Sequence, residues 1–394
     1  MSKMNEQTEK VNIEAAKREM NRTVKSPMDL PFALLVILLG GIGLVMMFSA
    51  GYSWGAIKTG NPAFFVTRQG IFLLMGIAVM LIISRFDYHY FRAFSMPAMV
   101  IAVILLVVVL FVGSADKGAI RWINFGIFNI QPSEIAKIAV IMLFAAMISA
   151  RPERLSQKKL LPALVGIGPY ICILVLIAGL MAMQPHFSGI ILILSVGAVM
   201  LFMGGLAYRW IAIVGAAGVG AMTVMITATD YASNRIALWR DPWIDPQEGG
   251  YQIIQSLYAV ASGGWFGLGL GQSRQKYSYL PEPHNDFVYA IVVEELGVVG
   301  AMIVLFLFML LIIRGFWIAL HARDRFGTLL VSGVTTLLAI QVFLNVAVVT
   351  NLIPVTGISM PFFSYGGSSL LILMAEMGII LSVSRRLPAY RQGG

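Results

Sequence analysis

The chain has almost none of the reactive side chains from which most enzymes build a site. It holds one cysteine, Cys172, inside an apolar run, so neither a disulfide nor a thiolate metal cluster can be drawn from it. Its four histidines (His89, His186, His284 and His321) stand far apart, which argues against a transition-metal site made from protein ligands alone. No glycine-lysine loop of the nucleotide-binding type occurs. Charge is scarce too: 12% of the 394 residues are charged and 58% are apolar, with a mean hydropathy of +0.83. Those values lie well outside the range of soluble domains and define an all-α, polytopic membrane protein.

What is present is a series of apolar stretches about 20 residues long, the length that crosses a bilayer as helix. They predict ten spans, at 30–50, 64–84, 94–113, 133–150, 160–182, 188–206, 210–229, 286–313, 326–350 and 366–384. Residues 1–29 are polar and of mixed charge, too long and too acidic for the start of a signal peptide, and read as a cytosolic tail in which 11–20 could form a short helix. Residues 386–394 read as a second cytosolic tail, and 30–385 as a single transmembrane domain. The net charge of +9 does not point to nucleic acid, because the basic residues sit in short loops between spans. With the N-terminus cytosolic, 19 of the 28 Lys and Arg residues fall inside. Both termini are then cytosolic, and the long polar loop 230–285 faces outward.

That loop gathers most of the chemistry. It runs from Asp230 through Asp241, Asp245 and Glu248, across glycines 263, 264, 267, 269 and 271, to Tyr279-Leu-Pro-Glu-Pro-His-Asn-Asp-Phe287. The glycines superficially match a dinucleotide fingerprint, but they neither follow a strand nor open a βαβ unit. Close backbone approach, turns or re-entrant half-helices are the better account. A second outward region contains Arg121-Trp122, which could rest at the membrane interface. In it Ser133 could cap the next helix, and Glu134 suits that helix's first turn. His186 reads either as an interfacial histidine with its partners satisfied or as a ligand for water or phosphate. Ser364, Tyr365, Ser368 and Ser369 add polarity where the last span begins.

Three separated motifs carry a resemblance. They are Arg121-Trp122 with Gln131-Pro-Ser-Glu134; Tyr279 to Phe287 with Glu294-Glu-Leu-Gly297; and Pro354-Val-Thr-Gly357 with Pro361-Phe-Phe-Ser-Tyr-Gly-Gly-Ser-Ser369. Together they resemble the SEDS proteins (shape, elongation, division and sporulation) of bacterial cell-wall synthesis, and among these the cell-division and sporulation branch. Gln184-Pro-His-Phe-Ser-Gly departs from the Gln-Pro-Asp-Leu-Gly of many members, so no acid's role passes to His186.

The resemblance implies a peptidoglycan glycosyltransferase that polymerises lipid II on the outer face of the cytoplasmic membrane, releasing undecaprenyl diphosphate. It implies a class B penicillin-binding transpeptidase and other cell-division membrane proteins as partners. The family's essential aspartate corresponds to Asp286, for which the competing reading is a helix N-cap, a role Asn285 could fill as well. As general base on an acceptor hydroxyl it would give inversion, whereas retention would ask for a second carboxylate such as Glu282 or Glu134. Arg121, Arg274 and Lys276 are the outward cations for a leaving diphosphate, with a divalent cation such as Mg2+ as a further source of charge. Trp122, Glu134, His186, Glu282, His284, Ser364 and Ser368 complete the candidate substrate groove. A lipid II flippase or a non-catalytic division scaffold are the alternatives. Transport would need polar groups continuing to the cytosolic face, and the acids of this chain cluster outward.

Overall fold

The computed structural model describes residues 27–387 except 117–118, 125, 127–128, 156–159, 211, 214, 217, 219, 221–229 and 278. The predicted tail before residue 27, most of the predicted span 210–229 and the tail beyond 387 lie outside the described residues. Helices α1 (Leu30–Thr59), α2 (Phe64–Ile83) and α3 (His89–Val112) lead to a small antiparallel sheet, β1 (Ser114–Asp116), β2 (Ala119–Asn124) and β3 (Asn129–Ile130). Then come α4 (Pro132–Ala150), α5 (Leu160–Ala182), α6 (Phe187–Met203), α7 (Asp230–Arg240), α8 (Tyr251–Gly263), α9 (Val288–Leu320), α10 (Arg325–Val349) and α11 (Gly367–Ser384).

Among the described residues eight helices are long and apolar enough to cross a membrane, and α6, at 17 residues, is a shorter apolar helix. Nine of the ten predicted spans are therefore helices, one of them short. The sheet was not foreseen: Arg121 and Trp122 lie on β2, with Trp122 opposite Ser114.

Helix α10 is the centre of the bundle, packing against α4, α6, α9 and α11 and buried along most of its length. Helices α2 and α3 lie further out and turn large apolar side chains such as Leu74 and Phe111 to the surroundings. In water that surface would be unstable; against lipid it costs nothing.

Two polar contacts between α1 and α9, one an ion pair and one a hydrogen bond, measure the membrane. At one end Asp29, the N-cap of α1, takes Arg314 of α9 in a bidentate pair with Nη2 to Oδ2 at 2.8 Å. At the other, Ser49 of α1 meets Glu295 of α9 at 2.6 Å. The separation is about 20 residues on each helix, or roughly 30 Å, which is the thickness of the hydrocarbon core. The Asp29 end has short connections; the other end carries the sheet and all the long loops.

Candidate functional site

The long-loop end is organised by a break in α9. Gly297 has φ 69 and ψ −177, so the helix loses backbone bonds there. The glycine-rich loop replaces them. Leu268 and Gly269 donate to the carbonyls of Glu294 and Glu295 at 2.9 and 3.0 Å, while Val298 and Val299 donate to Gly264 and Trp265 at 2.9 and 3.1 Å. At Gly267, with φ +78, a Cβ would sit 2.1 Å from the Glu295 carbonyl oxygen. Close backbone approach is thus what Gly263 and Gly267 allow, while Gly264, Gly269 and Gly271 supply turns at positive φ.

The two glutamates beside the break point their carboxylates into the turn that follows. Glu294 Oε1 accepts from the amides of Arg274 and Gln275 at 2.9 and 3.4 Å, and Oε2 accepts from the Ser273 hydroxyl. Glu295 Oε1 accepts from Ser49 Oγ, the Ser273 amide and Lys276 Nζ, the last at 3.1 Å. Lys276 also donates to the Gly271 carbonyl at 2.6 Å and is 2% exposed. This corrects the sequence reading of Lys276 as an outward cation for a diphosphate, because its charge is enclosed by Glu295. Arg274 contributes its amide to the network and keeps an exposed side chain.

From this anchor the chain returns to the mouth of α9. Glu282, at φ +46, closes a tight turn: the Asn285 amide donates to its carbonyl and Asn285 Nδ2 to its Oε2, both at 3.0 Å. His284 is buried with its ring 4.3 Å from that of Phe65, and its carbonyl accepts from the Tyr365 amide at 2.8 Å. Asp286 is half-buried, and its carbonyl accepts from Asn345 Nδ2 at 2.8 Å. The same nitrogen donates to the Ile358 carbonyl at 2.7 Å. A Cβ on Gly357 would lie 3.4 Å from Asp286 Oδ2, so the carboxylate faces the 353–361 segment. The N-cap of α9 is Phe287, so neither Asn285 nor Asp286 stands at the cap.

Beyond the 353–361 segment lies a polar cleft lined by Glu134, Gln341, Ser359, Ser364, Ser369 and Glu376, among others. Gln69 of α2 pins its rim, donating to the Ser364 carbonyl at 3.1 Å and accepting from the Gly366 amide at 3.2 Å. Ser364 Oγ accepts from the Met360 amide at 2.7 Å, and Ser368 is buried nearby on α11. Glu134 pairs with Lys137 one turn along α4, at 2.8 Å. Lys137 is 4% exposed, a charge inside the bundle that the sequence reading passed over. The Glu-x-x-Lys spacing on an apolar helix was the signal that could have found it. Ser133 lies inside α4 with its hydroxyl buried and unpartnered among the described residues, so it is not the cap predicted for it; Gln131 is.

Arg121 reaches across to the turn after α5. Its Nε donates to the Gln184 carbonyl at 3.4 Å and its Nη2 to the Pro185 carbonyl. His186 follows, buried, with Nδ1 unpartnered among the described residues, contrary to the satisfied interfacial histidine of one sequence reading. Burial first, then the charges of Arg121 and Lys137, push its pKa down to about 3. It is a neutral imidazole.

The structure therefore brings Glu282, His284 and Asp286 to one side of the 353–361 segment, and Glu134, Ser364 and Glu376 to the other. Arg121 and His186 stand at the α5–α6 turn, and Lys276 belongs to the α9 break. Among the described residues no three His, Cys, Asp or Glu side chains converge as a metal-binding group.

A helical, multi-pass membrane protein with polar groups concentrated between broken segments at one end is the class that this arrangement defines. The family model described as "Cell cycle protein", covering FtsW, RodA and SpoVE, matches residues 29–388, and the chain belongs to that family. It is 42% identical to "Stage V sporulation protein E" of Bacillus subtilis (strain 168), over 92% of this chain and 98% of the relative. It is 38% identical to the "Probable peptidoglycan glycosyltransferase FtsW" of Geobacter metallireducens, over 91% of this chain and 95% of the relative. Its fold matches a chain of a peptidoglycan synthase complex described as coordinating polymerization and crosslinking. There the TM-score is 0.75 and the identity 28%, covering 91% of this chain and 98% of the other. The rod shape determining protein RodA of Thermus thermophilus gives a TM-score of 0.68 at 26% identity, covering 91% and 97%.

Proposed function

We propose that this protein is a peptidoglycan glycosyltransferase that polymerises lipid II at the outer face of the cytoplasmic membrane, with Asp286 as the general base. The observation that carries the reading is the placing of Asp286. It is a half-buried carboxylate outside the helix cap, turned towards the 353–361 segment and tied to it through Asn345. Family membership and a relative named as a probable peptidoglycan glycosyltransferase support a peptidoglycan precursor as the substrate.

Both reactants of such a polymerisation are lipid-anchored, so a site at the rim of the bundle orients them and raises their effective concentration. Asp286 would take the proton of the acceptor's 4-hydroxyl as that oxygen attacks the donor's anomeric carbon, and the lipid diphosphate would leave with inversion. Arg274, whose side chain is exposed, and Arg121, half-buried at the α5–α6 turn, are the cations for the donor's diphosphate in this reading, since Lys137 and Lys276 are each enclosed by a glutamate. A divalent cation bridging a carboxylate and the diphosphate would add charge, and chelation tests that part of the proposal. The loops at the Asp286 end face outward in this reading, both termini are cytosolic, and a class B penicillin-binding transpeptidase is the partner. The match to a chain of a synthase complex supports that partner.

The test is glycan-strand synthesis from lipid II by purified protein, with and without the transpeptidase. Asp286→Asn should cost about 100-fold to 10,000-fold in rate, with thermal stability and lipid II binding close to the parent. Polymerisation within about twofold of the parent would sink the assignment and favour a flippase or a scaffold. The orientation is checked separately by impermeant labelling of a cysteine at exposed Tyr279 in intact cells. Labelling only after the membrane is opened would reverse it.

A further inference from the structure

We propose that Asn345 is a positioning residue for this reaction, setting the location of the Asp286 carboxylate relative to the 353–361 segment. The inference rests on the reading of Asp286 as the reacting acid. Asn345 lies on α10, the central helix, and is fully buried. Both hydrogens of its amide are used, one on the Asp286 carbonyl at 2.8 Å and one on the Ile358 carbonyl at 2.7 Å. One side chain on the central helix of the bundle thus holds two loop segments together.

Three further observations give this bridge its consequence. Asp286 precedes the cap of α9, so the helix's own hydrogen bonds do not secure it. The bond from Asn345 falls on the carbonyl of Asp286 itself, and losing it would let the Cα that carries the carboxylate move. Finally, the gap the carboxylate faces is narrow, since a Cβ on Gly357 would already come to 3.4 Å from Oδ2, so a shift of a few tenths of an ångström changes it.

Energetics point the same way. Asn345 Oδ1 is buried and unpartnered among the described residues. An unpartnered buried oxygen is a cost that packing alone does not account for, and what the asparagine gains for it is the pair of bonds from its nitrogen. Four residues earlier on the same face of α10, Gln341 lines the cleft that holds Glu134. Helix α10 therefore positions the Asp286 mouth from the same surface that walls the cleft.

The experiment uses the full-length protein in detergent with lipid II and compares Asn345→Leu and Asn345→Asp with the parent. Positioning predicts that kcat falls about 10-fold to 100-fold, the range expected when a reacting group is misplaced by up to an ångström, while KM and lipid II binding stay within about threefold. Hydrogen exchange should quicken in peptides covering 279–289 and 353–363 and stay at the parent's rate elsewhere, and the leucine variant should melt lower, because the Asp286 and Ile358 carbonyls lose their donor. Combined with Asp286→Glu, Asn345→Leu should cost less than the product of the two single losses, because both act on the same carboxylate. A purely structural residue would give the full product and quickened exchange across the bundle, not in those two segments alone. An inactive Asp286→Asn beside a fully active Asn345→Leu overturns the positioning inference alone; an active Asp286→Asn overturns the reading beneath it. Should Asn345→Asp fail to fold, the leucine variant decides.

Discussion

The two ends of the bundle hold their loops by different means. At the short-loop end the contacts around Asp87 and Asp324 are wet. The side chains of Asp87 and Asp324 are 35% exposed, His89 bonds Asp87 at 2.7 Å with its own side chain 52% exposed, and Arg386 reaches Asp87 at 3.3 Å. At the long-loop end Glu294, Glu295, Lys276 and Asn345 are all within 2% of complete burial. Burying charge is expensive, and chains accept it where apolar packing alone would not specify the geometry. The contrast locates the demand for a fixed geometry at the end that carries Asp286.

The sharpest way to break that contrast is to remove one cation from each ion pair. Lys276→Met leaves Glu295 charged and enclosed, and should cost about 3–5 kcal/mol. Arg314→Met should cost less, about 1–2 kcal/mol, because a third of its side chain already meets water and Asp29 keeps its bond from the Phe32 amide. Thermal unfolding in detergent compares them. Adding Glu295→Met to Lys276→Met should recover most of the loss, since an apolar pair carries no stranded charge. Equal losses at the two ends would show that burial is not what distinguishes them.

A smaller effect separates two glycines with left-handed backbone. Gly60, with φ +70 at the end of α1, has open space where a Cβ would go, so Gly60→Ala should cost about 1 kcal/mol in backbone strain. Gly267→Ala meets the same strain and also the Glu295 carbonyl, for about 3 kcal/mol in all. Its loop would have to lift away from α9, which limited proteolysis near exposed Trp265 and Phe266 would register. Similar melting temperatures and cleavage rates for the two variants would mean the loop is not anchored by the break.

Composition and spacing made the membrane class and the spans legible, because burying backbone in lipid forces helix and leaves a long apolar run as its trace. The polar residues that matter were also visible as exceptions to that run. Their pairing was not. Nothing in the order of residues says that Lys276 closes on Glu295 and not on a substrate, or that Asn345 reaches a carbonyl 59 positions earlier. Those contacts join segments far apart in the chain, and their cost appears only once burial is known. The β2 strand was missed for a related reason: six residues with weak alternation are held by their neighbours, not by their own propensity.

The last comparison is between two histidines, and its effect is the smallest at ordinary pH. His186 is buried at the long-loop end with its pKa pushed down to about 3, by burial first and then by Arg121 and Lys137. In the unfolded chain it would titrate near the ordinary value of about 6.5. The unfolded state therefore binds the extra proton first as pH falls, and stability is lost below that value with a limiting slope of about 1.4 kcal/mol per pH unit. Between pH 7 and pH 6 the expected loss is about 0.7 kcal/mol; it grows towards pH 5 and levels off only near the folded pKa. His186→Gln should flatten this part of the stability profile, whatever it does to stability at pH 8. His89→Gln, at the wet end, is the control, a histidine with a half-exposed ring bonded to Asp87. Melting temperatures of the parent and the two variants at pH 8, 7, 6 and 5 decide the matter. Parallel profiles for parent and His186→Gln would show that the buried imidazole is not what makes the protein acid-sensitive.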